Sequence, residues 1–125
     1  MSGSGGVFGF ISRYFFNHFK RKWGLHIPYN TDIGPGLIIW HPVGVVINPK
    51  VKIGANCSIF QFVSIGEEKG KNATIGDNVI IGPNVSIVGG VNIGDNVKIG
   101  AGTVVIKDVP DNCTTVGNPN RIILK

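Results

Sequence analysis

Residues Ile75 to Val105 read I-G-D-N-V-I, I-G-P-N-V-S, I-V-G-G-V-N, I-G-D-N-V-K, I-G-A-G-T-V and V, one six-residue phrase repeated without a break. Each phrase opens on isoleucine or valine, usually continues with glycine, passes through turn residues, and closes on a small or branched residue and a variable one. The phrase also opens upstream at Ile53, Ile59 and Ile65, and further back at Ile47, Ile39, Ile33 and Ile27. A period of six fits neither the 3.6-residue helix nor the alternation of a half-buried strand. It predicts an all-β fold, a left-handed parallel β-helix of hexapeptide repeats. In such a fold three phrases, about 18 residues, close a triangular coil around the opening aliphatics.

The corners support this independently. The fourth place of each phrase must turn sharply, and glycine, asparagine and aspartate tolerate the left-handed backbone needed there. Those places hold Gly36, Asn56, Asn78, Asn84, Gly90, Asn96, Gly102 and Asp108, with Lys50, Pro42 and Phe62 as exceptions. Proline cannot take a positive φ, so the corner at Pro42 requires another shape.

With 125 residues, 19 glycines and 42% apolar side chains, the chain suits a single small β-rich domain. Twelve basic against seven acidic residues give a net charge of +5, which favours an anionic partner. The basic residues are scattered and the aromatics gather near the N-terminus, a pattern that argues against nucleic acid. Cys57 and Cys113 form no metal or redox spacing. Cys57 falls on an inward place and reads as core, and the default compartment is a reducing cytoplasm.

No apolar run is long enough to span a membrane. Residues 1–6, M-S-G-S-G-G, read as a flexible start or a cloning remnant. Residues 7–24 read as an amphipathic N-terminal helix, with Phe8, Ile11, Phe15 and Phe19 at helical spacing beside Arg13, Lys20, Arg21 and Lys22. This helix either packs on the end of the solenoid or a neighbouring subunit, or touches the inner face of a membrane as a peripheral anchor. Residues 25–125 form the β-helix domain.

Two insertions break the beat, eight residues from Ile39 to Ile47 and ten from Ile65 to Ile75. Insertions in such repeats map to loops on the binding face. The second, G-E-E-K-G-K-N-A from Gly66 to Ala73, is polar enough to leave the coil. Counting through both aligns Ile39, Ile59, Ile81 and Ile99 on one side, so that His41, Gln61, Pro83 and Ala101 share a column. Strands stack at roughly 4.8 Å, which puts His41 about 10 Å from Pro83 and about 15 Å from Ala101 along the axis. Of the three histidines, His18 and His26 read as packing or solvated groups. His41, at an altered corner beside an insertion, is the candidate general base for a hydroxyl.

These residues carry a resemblance. I-G-P-G-L-I-I-W-H-P-V-G-V-V-I-N-P from Ile33 to Pro49, the I-G-D-N-V phrases, I-G-A-G-T-V-V at Ile99, K-D-V-P at Lys107 and V-G-N-P-N-R ending at Arg121 resemble the hexapeptide-repeat acyltransferases. Within them the chain is similar to the serine-acetyltransferase-like branch, which includes capsule and polysaccharide O-acetyltransferases. The resemblance implies a homotrimer using acetyl-CoA as co-substrate and no metal, with His41 deprotonating the acceptor hydroxyl. It further implies that Pro83 and Ala101 line the pantetheine arm, and that Ile106, Lys107 and Arg121 lie at the nucleotide end.

The chain also departs from the serine-specific pattern. Trp40 stands where that branch has an aspartate before the histidine, Lys71 and Asn72 where it has a second histidine, and His26 where it has another acid. The expected acceptor is therefore a sugar hydroxyl in polysaccharide or capsule biosynthesis, with Trp40 stacking on the ring and Gln61 touching the acceptor or holding His41. Serine or small-molecule (antibiotic) O-acetylation, and a non-catalytic β-helix scaffold, are the alternatives.

Overall fold

The computed structural model describes residues 24–124. The start at 1–6 and the helix expected over 7–24, Gly24 apart, lie outside the described residues. The chain winds into stacked coils, each contributing three short strands. The first coil holds β1 (Asp32–Ile33), β2 (Ile38–Ile39) and β3 (Val46–Ile47); the second holds β4 (Lys52–Ile53), β5 (Ser58–Ile59) and β6 (Ser64–Gly66). The third holds β7 (Thr74–Ile75), β8 (Ile80–Ile81) and β9 (Ser86–Val88), and the fourth β10 (Asn92–Ile93), β11 (Lys98–Ile99) and β12 (Val104–Val105). Then β13 (Cys113–Val116) adds to the second face, and β14 (Arg121–Leu124) turns back antiparallel to it.

The three faces are parallel sheets ordered β1-β4-β7-β10, β2-β5-β8-β11-β13-β14 and β3-β6-β9-β12, the antiparallel β14 being the exception. Opening residues pair with opening residues, as in Ile39 with Ile59, Ile59 with Ile81, and Ile81 with Ile99. Two residues of each phrase face inward. From Ile47 onward the openers are buried, and so are the fifth-place residues Val51, Cys57, Val63, Val79, Val85 and Val97. Ile33 and Ile39, near the end of the stack, are only partly buried. His26 adds a further rung beside Val46, which places Ile27 in the core as the repeat predicts.

Burial pushes the Cys57 thiol above its ordinary value, and its Sγ donates to Gly76 O at 3.2 Å. That is the environment of a core residue, not a reactive thiolate.

Two of the three corners follow the left-handed rule. Gly36, Asn56, Asn78, Asn96 and Asn112 take positive φ after the first face, and Gly44, Phe62, Asn84 and Gly102 after the second. After the third face, Lys50 and Asp108 keep negative φ, and Gly89 rather than Gly90 is left-handed. At the altered corner the left-handed residue is Gly44, not Pro42. The two extra residues of the first insertion are His41 and Pro42, spanned by a tight turn in which Val43 N donates to His41 O at 2.7 Å. Val43 then supplies the carbonyl that Phe62 N bonds at 2.9 Å, as Gln61 does for Asn84 and Pro83 for Gly102. His41 is thus displaced from the stacked corner that the sequence count assigned to it. It stands exposed on a bulge beside that corner.

The second insertion does not leave the coil altogether. Glu68 and Lys71 exchange backbone hydrogen bonds at 2.9–3.0 Å around Lys69 and Gly70, both at positive φ. This tight hairpin lies over Gly89 and Gly90. A Cβ at Gly90 would come within 2.9 Å of Lys71 Cβ.

Candidate functional site

Each face brings its second-place and third-place residues into columns. On the second face the second place runs Trp40, Phe60, Gly82, Gly100, and the register fixes that order. The Trp40 and Phe60 rings stack with centroids 6.1 Å apart at 19°. The His41 imidazole tilts at 45° over the same Phe60, 6.4 Å between centroids. Trp40 is 56% exposed and Phe62, on the next corner, 53%. The result is an aromatic shelf with a histidine on its edge, open to a ligand.

Among the described residues the imidazole forms no hydrogen bond, so Gln61 does not hold it. Gln61 nonetheless sits in the adjoining corner with its Oε1 buried and without a hydrogen-bond partner among those residues. A buried unmatched acceptor is costly, and such groups recur where a ligand supplies the donor. Phe62 holds a φ of 58°, rare for a bulky residue, and its ring lies so close to Gly44 that a Cβ there would sit 2.5 Å from Phe62 Cδ1.

Pro83 and Ala101 continue the corner column on the third and fourth coils, joined by Gly102 N to Pro83 O at 2.9 Å. Ile106, Lys107 and Arg121 meet elsewhere. The C-terminal tail crosses from β13 to the third face, where Asn120 N donates to Val104 O at 3.0 Å. The buried Asn120 amide bonds the backbone of Ile106 and Lys107, which ties these exposed residues to the segment that carries the exposed Arg121. The structure therefore groups Trp40, His41 and Gln61 at the first two coils, Pro83 and Ala101 on the third and fourth, and Ile106, Lys107 and Arg121 at the fourth coil and the C-terminal tail that crosses it.

Phe60, Phe62 and Asn120 were missed by sequence reasoning. The I-F-Q-F segment does carry a signal, because Phe60 replaces the usual glycine and Phe62 the usual turn residue. Among the described residues no three metal-ligating side chains converge.

The chain matches the bacterial transferase hexapeptide model, six repeats, over residues 72–107. It is 41% identical over 106 residues to a serine acetyltransferase of Synechococcus elongatus, covering 82% of this chain and 43% of that one. Soybean serine acetyltransferase complexed with serine superposes with a TM-score of 0.81 at 34% identity, over 90% of this chain and 48% of the other. A serine acetyltransferase in complex with CoA gives 0.77 at 29% identity, over 92% and 48%. The chain spans about half the length of the curated relatives it matches.

These likenesses correct the expected acceptor. The relatives are serine acetyltransferases, and nothing among them supports a sugar in polysaccharide or capsule biosynthesis.

Proposed function

We propose that this chain transfers an acetyl group from acetyl-CoA to the hydroxyl of serine. The carrying observation is His41, exposed on its bulge against the Phe60 ring and beside the registered corner of Phe62, Asn84 and Gly102. His41 takes the serine hydroxyl proton as the oxygen attacks the thioester carbonyl. The tetrahedral adduct collapses, the carbon–sulfur bond breaks, and the imidazolium returns the proton to the departing thiolate, leaving O-acetylserine and CoA. Gln61 Oε1 accepts a hydrogen bond from the acceptor's ammonium or hydroxyl, and the Trp40–Phe60 shelf excludes water beside it. Pro83 and Ala101 leave room for the pantetheine arm, and Lys107 and Arg121 pair with the phosphates.

Support for serine comes from the relatives' own names and from the solved neighbour that holds serine. Purified chain mixed with acetyl-CoA and L-serine should release free thiol in step with O-acetylserine. Thiol release that does not depend on serine would sink the acceptor assignment.

The enzyme acts as a homotrimer in this reading. Its support is the exposed apolar side chains on and next to the second face, Ile38, Trp40, Phe62 and Ile80, with Val46 on the third. Sedimentation equilibrium should return the mass of three chains, and a single-chain mass at micromolar concentration would refute it.

A further inference from the structure

We propose that Asn120 is a positioning residue that shapes the subsite for the donor's nucleotide, a role that rests on the reading of Lys107 and Arg121 given above. Asn120 is 1% exposed, although Gly117, Asn118, Pro119 and Arg121 around it are all exposed. Its Oδ1 accepts from two successive backbone groups, Ile106 N at 2.9 Å and Lys107 N at 3.2 Å. Its Nδ2 donates to Lys107 O at 3.3 Å and to Thr115 Oγ1 at 3.1 Å. Both donors and both acceptor sites of the amide are therefore used. Thr115 Oγ1 in turn donates to Arg121 O at 2.9 Å, which ties the second cation to the same amide.

One side chain thus fixes the backbone of Lys107 at two atoms and that of Arg121 at one remove, while touching neither charged head. Lysine and arginine side chains are flexible, and a phosphate site gains affinity when their anchors are fixed before the ligand arrives. A bulkier or shorter residue at 120 would leave two adjacent, part-buried N–H groups without their acceptor. The cost falls on the segments carrying the cations, about 15 Å by coil spacing from the first-coil histidine.

The test compares two donors of different length in the full chain. In Asn120→Ala, kcat/KM for acetyl-CoA should fall about tenfold, mostly through KM, as expected when a charge-assisted phosphate contact is misplaced. With acetylpantetheine, which lacks the nucleotide, kcat/KM should stay at the wild-type value. Equal losses with both donors would mean that Asn120 only holds the fold, and unchanged kinetics with both would remove any role. Should Asn120→Ala fail to fold, Asn120→Asp, which keeps an acceptor for the Ile106 and Lys107 N–H groups and loses the donor to Lys107 O and Thr115 Oγ1, carries the same comparison. Titration of the folded wild-type chain with CoA separates the underlying reading. No binding there overturns the donor assignment and the Asn120 role with it, whereas binding without donor selectivity in the variants overturns the Asn120 role alone.

Discussion

Replacing His41 by alanine is expected to lower kcat for serine acetylation by about 10²–10⁴-fold, the range for losing a positioned general base. The fold should survive. The His41 side chain is exposed, it touches Phe60 by its ring alone among the described residues, and the bond that shapes the bulge uses its backbone carbonyl. Surface substitutions of that kind change stability by within about 0.5 kcal/mol. The loss should therefore appear in kcat, with thermal unfolding and CoA affinity close to wild type, since the proposed nucleotide subsite lies on the far coils. This combination distinguishes a lost proton acceptor from a damaged protein. Turnover of His41→Ala within threefold of wild type, in a folded variant that binds CoA, would remove the histidine from the mechanism.

The location of that histidine shows what the sequence could and could not disclose. The openers announce themselves because each must fill the same buried slot, and the run of Asn56, Asn78 and Asn96 at positive φ follows from the left-handed corner alone. The count between Ile39 and Ile47 reveals two extra residues without saying which two bulge. Backbone chemistry decides it: Pro42 cannot take the left-handed place, whereas Gly44 can, and only glycine leaves room for the Phe62 ring. Carrying the proline rule one step further would have put His41 on a bulge.

Phe62 was legible as an exception at its corner, but its left-handed backbone was not. Its own preference opposes a φ of 58°, and the stacked corner bond from its N to Val43 O overrides that preference. Nothing local in V-G-N-P-N-R separates the exposed Asn118 from the buried Asn120. The difference arises only when the tail folds across Val104. The partner of Trp40 was not legible for a related reason, because Phe60 lies 20 positions away in sequence and next to it in space.

The glycine in the second place of each phrase yields the sharpest stability contrast. Gly76→Ala should destabilise the chain by on the order of 3 kcal/mol, the overpacking regime, whereas Gly66→Ala should be near neutral. The two glycines sit on adjoining faces, at the same place in their phrases, and neither has positive φ. Around Gly66, although it is paired in register with Val88, a Cβ would meet nothing within 4 Å. At Gly76 a Cβ would lie 2.8 Å from the carbonyl carbon of Gly94 and 2.9 Å from its oxygen, and would press on the Asp95 carboxylate. That carboxylate accepts Asp77 N at 2.7 Å, as Asp77 accepts Ala55 N and Asp111 accepts Asp95 N, each at 2.8 Å. Backbone cannot rotate away as a side chain would, so the coils must separate, and separation breaks Gly76 N to Ile93 O and this carboxylate ladder together. The I-G-D phrase is then one device: glycine lets the coils approach, and the approach lets the aspartate reach the previous turn's N–H. Denaturant unfolding of the two variants side by side checks this, and equal midpoints would mean that the coils have slack that the close contacts at Gly76 deny.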